Sequence, residues 1–66
     1  MNYKHFVIHP IEHEPGKWRA TIRRADGSAV TCERTKLDSF TTSADTPTSE
    51  DAVRLACRAI DAGALS

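Results

Sequence analysis

The sequence predicts an α+β fold, one C-terminal helix laid on one face of a small antiparallel sheet, and three observations carry that expectation. Residues Thr48 to Gly63 spell a single amphipathic helix with a cap signal at each end. Nearly everything before it reads as strand and turn. A helix with one wide apolar face must lie on something flat, and in a chain of 66 residues the only candidate is the chain's own sheet.

The first strand is expected over Tyr3 to Glu12, where β-branched and aromatic residues dominate, ending at a reversal through Glu14-Pro15-Gly16-Lys17. The second strand follows at once. Trp18, Ala20 and Ile22 alternate with Arg19, Thr21 and Arg23, so the first set belongs to a buried face and the second to a wet one. Asp26-Gly27 is a hairpin signal leading to a third strand over Ala29 to Arg34, with Val30 and Cys32 pointing inward. These three strands make an antiparallel meander.

From Thr35 to Pro47 the composition shifts to Ser, Thr, Asp and Lys, which reads as a loop anchored on the core at Phe40. The same stretch allows a short fourth edge strand at Phe40-Thr41-Thr42. Pro47 disfavours helical angles at Thr46, and the Thr48 hydroxyl then caps the helix. Stepping 100° per residue places Leu55, Ala59, Ala52, Ala56, Ile60, Val53 and Cys57 in one arc, opposite Glu50, Arg54, Asp51, Arg58 and Asp61. The alanines allow close approach to the sheet. No internal repeat or linker divides the chain, so residues 1–66 are expected to form a single domain.

Size and charge narrow the function classes. A domain of about 60 residues buries only roughly 60% of its unfolded surface, which leaves little apolar volume for an enclosed catalytic cleft. Nine basic side chains balance nine acidic ones, so the global excess of a dedicated nucleic-acid binder is missing. The longest run of bulky apolar residues is Phe6-Val7-Ile8, too short for a signal peptide or a membrane span, which makes the cytoplasm the expected compartment. Cys32 and Cys57 are too far apart in sequence for a Cys-x-x-Cys motif; their spacing leaves a structural disulfide open, and in a reducing compartment they are expected to be packed thiols.

His5, His9 and His13 recur every four residues, a spacing that aligns side chains on a helix, yet they lie in strand-forming sequence. On a strand His5 and His9 stand about 13 Å apart at roughly 3.3 Å per residue, while zinc ligands converge at about 2 Å. No metal site is expected. No nucleophile with an adjacent base, Gly-rich phosphate loop or other catalytic signature appears, so neither enzymatic activity, a cofactor nor a small-molecule substrate is indicated.

The outward face of the sheet is the candidate binding surface. If Phe6 and Ile8 face the helix, then His5, Val7 and His9 face away together with Arg19, Thr21 and Arg23, a flat, basic, slightly apolar patch. Its plain reading is the solvated face that antiparallel sheets normally show; as a binding surface it suits a protein partner or a second copy of the chain before weak nucleic-acid binding through the two arginines. An unpaired edge, at the third strand or near Phe40, offers a second route to self-pairing.

Gly16-Lys17-Trp18 opening the second strand, with Phe40 preceding the Thr-x-x-Asp-Ala-Val start at Thr48 to Val53, resembles the small βββα domains of HicB-type antitoxins. The resemblance implies their partial double-stranded-RNA-binding-like fold across nearly the whole chain, and it brings no toxin-binding residue with it. Where those domains carry a Pro-Asp-x-x-Gly-type segment between the last strands, this chain is rich in Ser and Thr.

Overall fold

The computed structural model describes residues 1–65. The architecture is α+β: strands β1 (Asn2–Tyr3), β2 (Phe6–Glu14), β3 (Lys17–Arg24), β4 (Val30–Cys32), β5 (Thr35–Leu37) and β6 (Phe40–Thr41), then helix α1 (Ser49–Asp61). Four strands form one antiparallel sheet in the order β1-β2-β3-β6, and β4 and β5 form a separate hairpin. α1 covers one face of the larger sheet.

Two expectations are corrected. The first strand is not continuous, because Lys4 adopts a left-handed backbone (φ 53°) and a two-residue turn folds Asn2–Tyr3 back along Phe6–Val7. The segment from Ala29 does not extend the meander either. At Asp26-Gly27 the chain turns, with the Asp26 carboxylate accepting from the Ser28 amide (2.9 Å) and hydroxyl (2.6 Å), but it leaves the sheet and pairs instead with Thr35–Leu37.

Within the polar segment the short edge strand allowed at Phe40-Thr41-Thr42 forms as β6, and it takes the vacated edge of β3. Thr21 and Ile22 pair with Thr41 and Phe40, and beyond them the Thr42 amide donates to the Ala20 carbonyl (2.9 Å). The Ala20 amide in turn donates to the Thr42 hydroxyl (3.0 Å), and Trp18 and Thr46 exchange both of their backbone bonds. A threonine-rich strap can do this because its hydroxyls satisfy backbone groups that strand geometry leaves over. Thr42 and Thr46 are buried for that reason.

The alternation in β2 and β3 holds. Phe6, Ile8, Ala20 and Ile22 are buried beneath Ala52, Ala56 and Ile60 of α1, and Val30 and Leu65 complete the same cluster. Trp18 lies on this inner face, half-buried and packed against the cluster's margin. The far end of the face is closed by Arg24, whose guanidinium stacks 5.5 Å from the Phe6 ring centre.

α1 begins and ends where its caps dictate. The Thr48 hydroxyl accepts from the Asp51 amide (3.1 Å), and Glu50 and Asp51 lie in the first turn where the helix dipole favours acids. At the other end Gly63 takes φ 77°, and the amides of Gly63 and Ala64 donate to the carbonyls of Ile60 (3.1 Å) and Ala59 (3.0 Å). That is the Schellman arrangement, and only the left-handed glycine permits it without strain. It turns the chain so that Leu65 bridges to Cys32 and plugs the gap under the β4–β5 hairpin.

Candidate functional site

The face of the sheet opposite α1 is uncovered, and the register of its strands fixes which residues share it. Val7 stands opposite Arg23, His9 opposite Thr21, and Ile11 opposite Arg19, with Thr41 continuing the His9–Thr21 row on β6. The Thr21 and Thr41 hydroxyls lie 3.2 Å apart. Five of the six sequence-derived residues are therefore brought together: Val7, His9, Arg19, Thr21 and Arg23. His5 is not among the paired positions; it lies in the turn between β1 and β2, where its carbonyl accepts from the Ala25 amide (2.9 Å).

Two members change the character of the patch. Ile11 is 43% exposed, one of two large apolar side chains open to solvent among the described residues, and the parity that places Val7 and His9 outward already assigns it to this face. Asp45 swings in from the strap after β6 and accepts from the Arg19 Nε at 2.7 Å. That hydrogen bond holds the Asp45 carboxyl below the usual carboxylate range, and Arg19 no longer offers a free charge. Asp45 is invisible to periodicity because the strap is irregular. Arg23, by contrast, is exposed and makes no ion pair among the described residues.

The edges of the sheet are less accessible than its open face. The strap pairs along β3 from Ile22 to Trp18, which leaves β6, only two residues long, as the outer strand near Phe40. On the other side Met1 and Ile8 exchange backbone bonds (2.7 and 2.9 Å), and two residues further the same edge presents Pro10, which has no N–H to offer. An irregularity between Glu12 and Glu14 then shifts the register, and both glutamates are exposed. Proline, a bulge and charge are what keep an edge strand from pairing with another chain.

Elsewhere the polar chemistry is structural. The Tyr3 hydroxyl donates to both Asp61 carboxylate oxygens (2.9 and 2.8 Å) and Lys4 Nζ to one of them (2.6 Å), tying the β1–β2 turn to the end of α1. Those bonds depress the Asp61 carboxyl and raise Lys4 and the Tyr3 phenol. Cys32 and Cys57 are free and half-buried, and burial pushes the Cys57 thiol up, away from the reactive thiolate. Among the described residues no three His, Cys, Asp or Glu side chains gather into a metal-binding group, and no helix is long and apolar enough to cross a membrane. No protein-family model, curated protein or solved structure matches the chain.

Proposed function

We propose that this chain is a small non-enzymatic binding module whose uncovered sheet face docks a protein, either a distinct partner or a second copy of the chain. The observation that supports it most is the composition of that face: Ile11 and Val7 supply apolar area, Thr21 and Thr41 supply hydroxyls, and Arg23 supplies one unpaired charge. Aliphatic area with a single cation suits a protein surface better than a phosphate backbone, which is held by several cations at once. The proposal sets this action in the cytoplasm. The resemblance to HicB-type antitoxin domains belongs to it at the level of fold and contributes no binding residue.

The test compares wild type with Ile11→Asp and Arg23→Glu, two exposed positions whose change leaves the core intact. Affinity capture from the source cells, together with mass by light scattering, is expected to give a partner or a dimer that both substitutions remove. Lys36→Glu on the β4–β5 hairpin should leave it in place. A monomer whose captured proteins ignore Ile11 and Arg23, or a metabolite that raises the melting midpoint by several degrees, overturns the reading. The nucleic-acid alternative rests on Arg23 with Arg19 engaged elsewhere, and it requires low-salt binding that collapses as salt rises and is lost in Arg23→Glu.

A further inference from the structure

A second surface lies on the flank of α1. Between Thr42 and Thr46 the strap leaves the line of β3, so Ser43, Ala44 and Asp45 arch away from the sheet while Leu55 and Ala59 of α1 face the gap. Alanine at 59 is too small to close it. The result is two adjoining open hollows that share Leu55. One, of about 200 Å³, is lined by Phe40, Thr42, Ser43, Ala44, Leu55 and Ala59. The other, of about 270 Å³, continues along the helix past Pro47 to Arg54 and Arg58.

The two ends of this groove differ in chemistry. The Phe40 end has an apolar floor made by half-buried Phe40, Leu55 and Ala59. At the other end two guanidinium groups stand one helical turn apart on the same flank, as residues i and i+4 must. Arg54 reaches Asp51 only at 3.8 Å and is largely exposed; Arg58 makes no ion pair among the described residues. The acidic side chains lining the same hollow are Asp45, already bonded to Arg19 at 2.7 Å, and Asp51. The unmet charge in the groove is positive.

We infer that this groove is a docking site for an acidic segment of a protein partner, one that lowers a bulky apolar side chain into the Phe40–Leu55–Ala59 hollow and sets a carboxylate against Arg58 and Arg54. A carboxylate matches a guanidinium fork in two parallel hydrogen bonds, and an apolar anchor beside it supplies the buried area that a single ion pair lacks. The hollows are open along their length, which suits a chain segment lying across them rather than an enclosed small molecule. The inference is independent of the sheet-face proposal, since the two surfaces share no residue except Asp45 at their common border.

The test titrates the full chain with three labelled nonapeptides: one Phe flanked by Asp and Glu, the same acids around Ala, and the same Phe flanked by Lys. The acidic Phe peptide is expected to bind and to shift amide resonances of Ala44, Leu55 and Ala59, while the other two bind far more weakly. Arg58→Glu should weaken that binding about tenfold, the order expected for a charge-assisted contact. Ala44→Phe, at an exposed strap position, should block it by filling the hollow from within, and Ile11→Asp should leave it unchanged. Equal binding of the Lys-flanked peptide, indifference to Arg58→Glu, or loss of binding in Ile11→Asp would each overturn the inference.

Discussion

The β2–β3 hairpin and the β4–β5 hairpin are the same device, two antiparallel strands joined by a two-residue loop, yet different forces hold them. In the first, Pro15 and Gly16 occupy the loop, glycine takes φ 76°, and the pair suits a type II turn. That turn would splay a hairpin's strands, and the extra residue at the Glu12/Glu14 irregularity restores the twist. Eight and nine residues of strand then bury Ile8, Ala20 and Ile22 completely. Local signals and burial agree.

In the second hairpin they conflict. Glu33 and Arg34 sit at φ 50° and 67°, the mirror-image turn that favours Asn-Gly, and a left-handed backbone costs about 1 kcal/mol or more at each non-glycine residue. Only three residues on each side pair, too few for a hairpin to persist unaided in water. What holds it is tertiary: Val30 is fully buried, and Leu65, 5% exposed, seals it from the far end of the chain. A hairpin can thus run against its own turn chemistry when a buried anchor outweighs the strain.

Four measurements test this contrast. The largest effect is expected in the long hairpin. Ile22→Ala leaves a cavity under α1 and should cost about 3 kcal/mol in chemical denaturation, enough to unfold a marginal domain of this size. A cost below about 1 kcal/mol would mean that the sheet and helix are not the stability core.

Leu65→Ala should cost about 2 kcal/mol, and its signature is local. Amide exchange in β4 and β5 should quicken well before exchange in β2 and β3. Uniform acceleration would show that the two hairpins open as one unit.

Replacing Glu33-Arg34 by Asn-Gly should stabilise the chain by about 1 kcal/mol, read as a melting midpoint raised by roughly 4–8 °C. An unchanged or lowered midpoint would place an unrecognised favourable contact at Glu33 or Arg34.

The smallest effect concerns the exposed cluster that ties the β1–β2 turn to α1. Asp61 is depressed in the folded chain, so its contribution is present at neutral pH and fades as pH falls through that lowered value. Lys4 and Tyr3 are raised, so theirs is present below their ordinary values near 10.5 and 10.0 and fades as pH climbs past them. Asp61→Asn should therefore be less stable than wild type at pH 7 and converge with it in acid. A constant difference from pH 7 down to pH 2 would show that the bonds, rather than the charges, carry the effect.

Much of the candidate face could be read ahead of the structure. Period-two alternation in β2 and β3 assigns Val7, His9, Arg19, Thr21 and Arg23 to one surface, and the same parity reaches Ile11. His5 escapes that logic because Lys4 breaks the strand just before it, and nothing in a lysine announces a left-handed backbone. Nor does alternation reveal that Asp45 engages Arg19 across 26 positions, or that a threonine-rich strap takes the edge of β3.

What the amino-acid order determined by itself is local: the capped helix with its alanine-rich face, the two long strands and their buried sides, and the tight turn between them. Each of these rests on interactions within a few residues, where propensity, periodicity and capping point the same way. The placement of the remaining pieces was decided in three dimensions. Val30–Cys32 and the strap both had the polarity and the hydrogen-bonding groups to run beside β3. The strap lies there, with Thr42 and Thr46 giving backbone and hydroxyl bonds to Ala20 and Trp18, while the hairpin is anchored where Val30 and Leu65 meet the core.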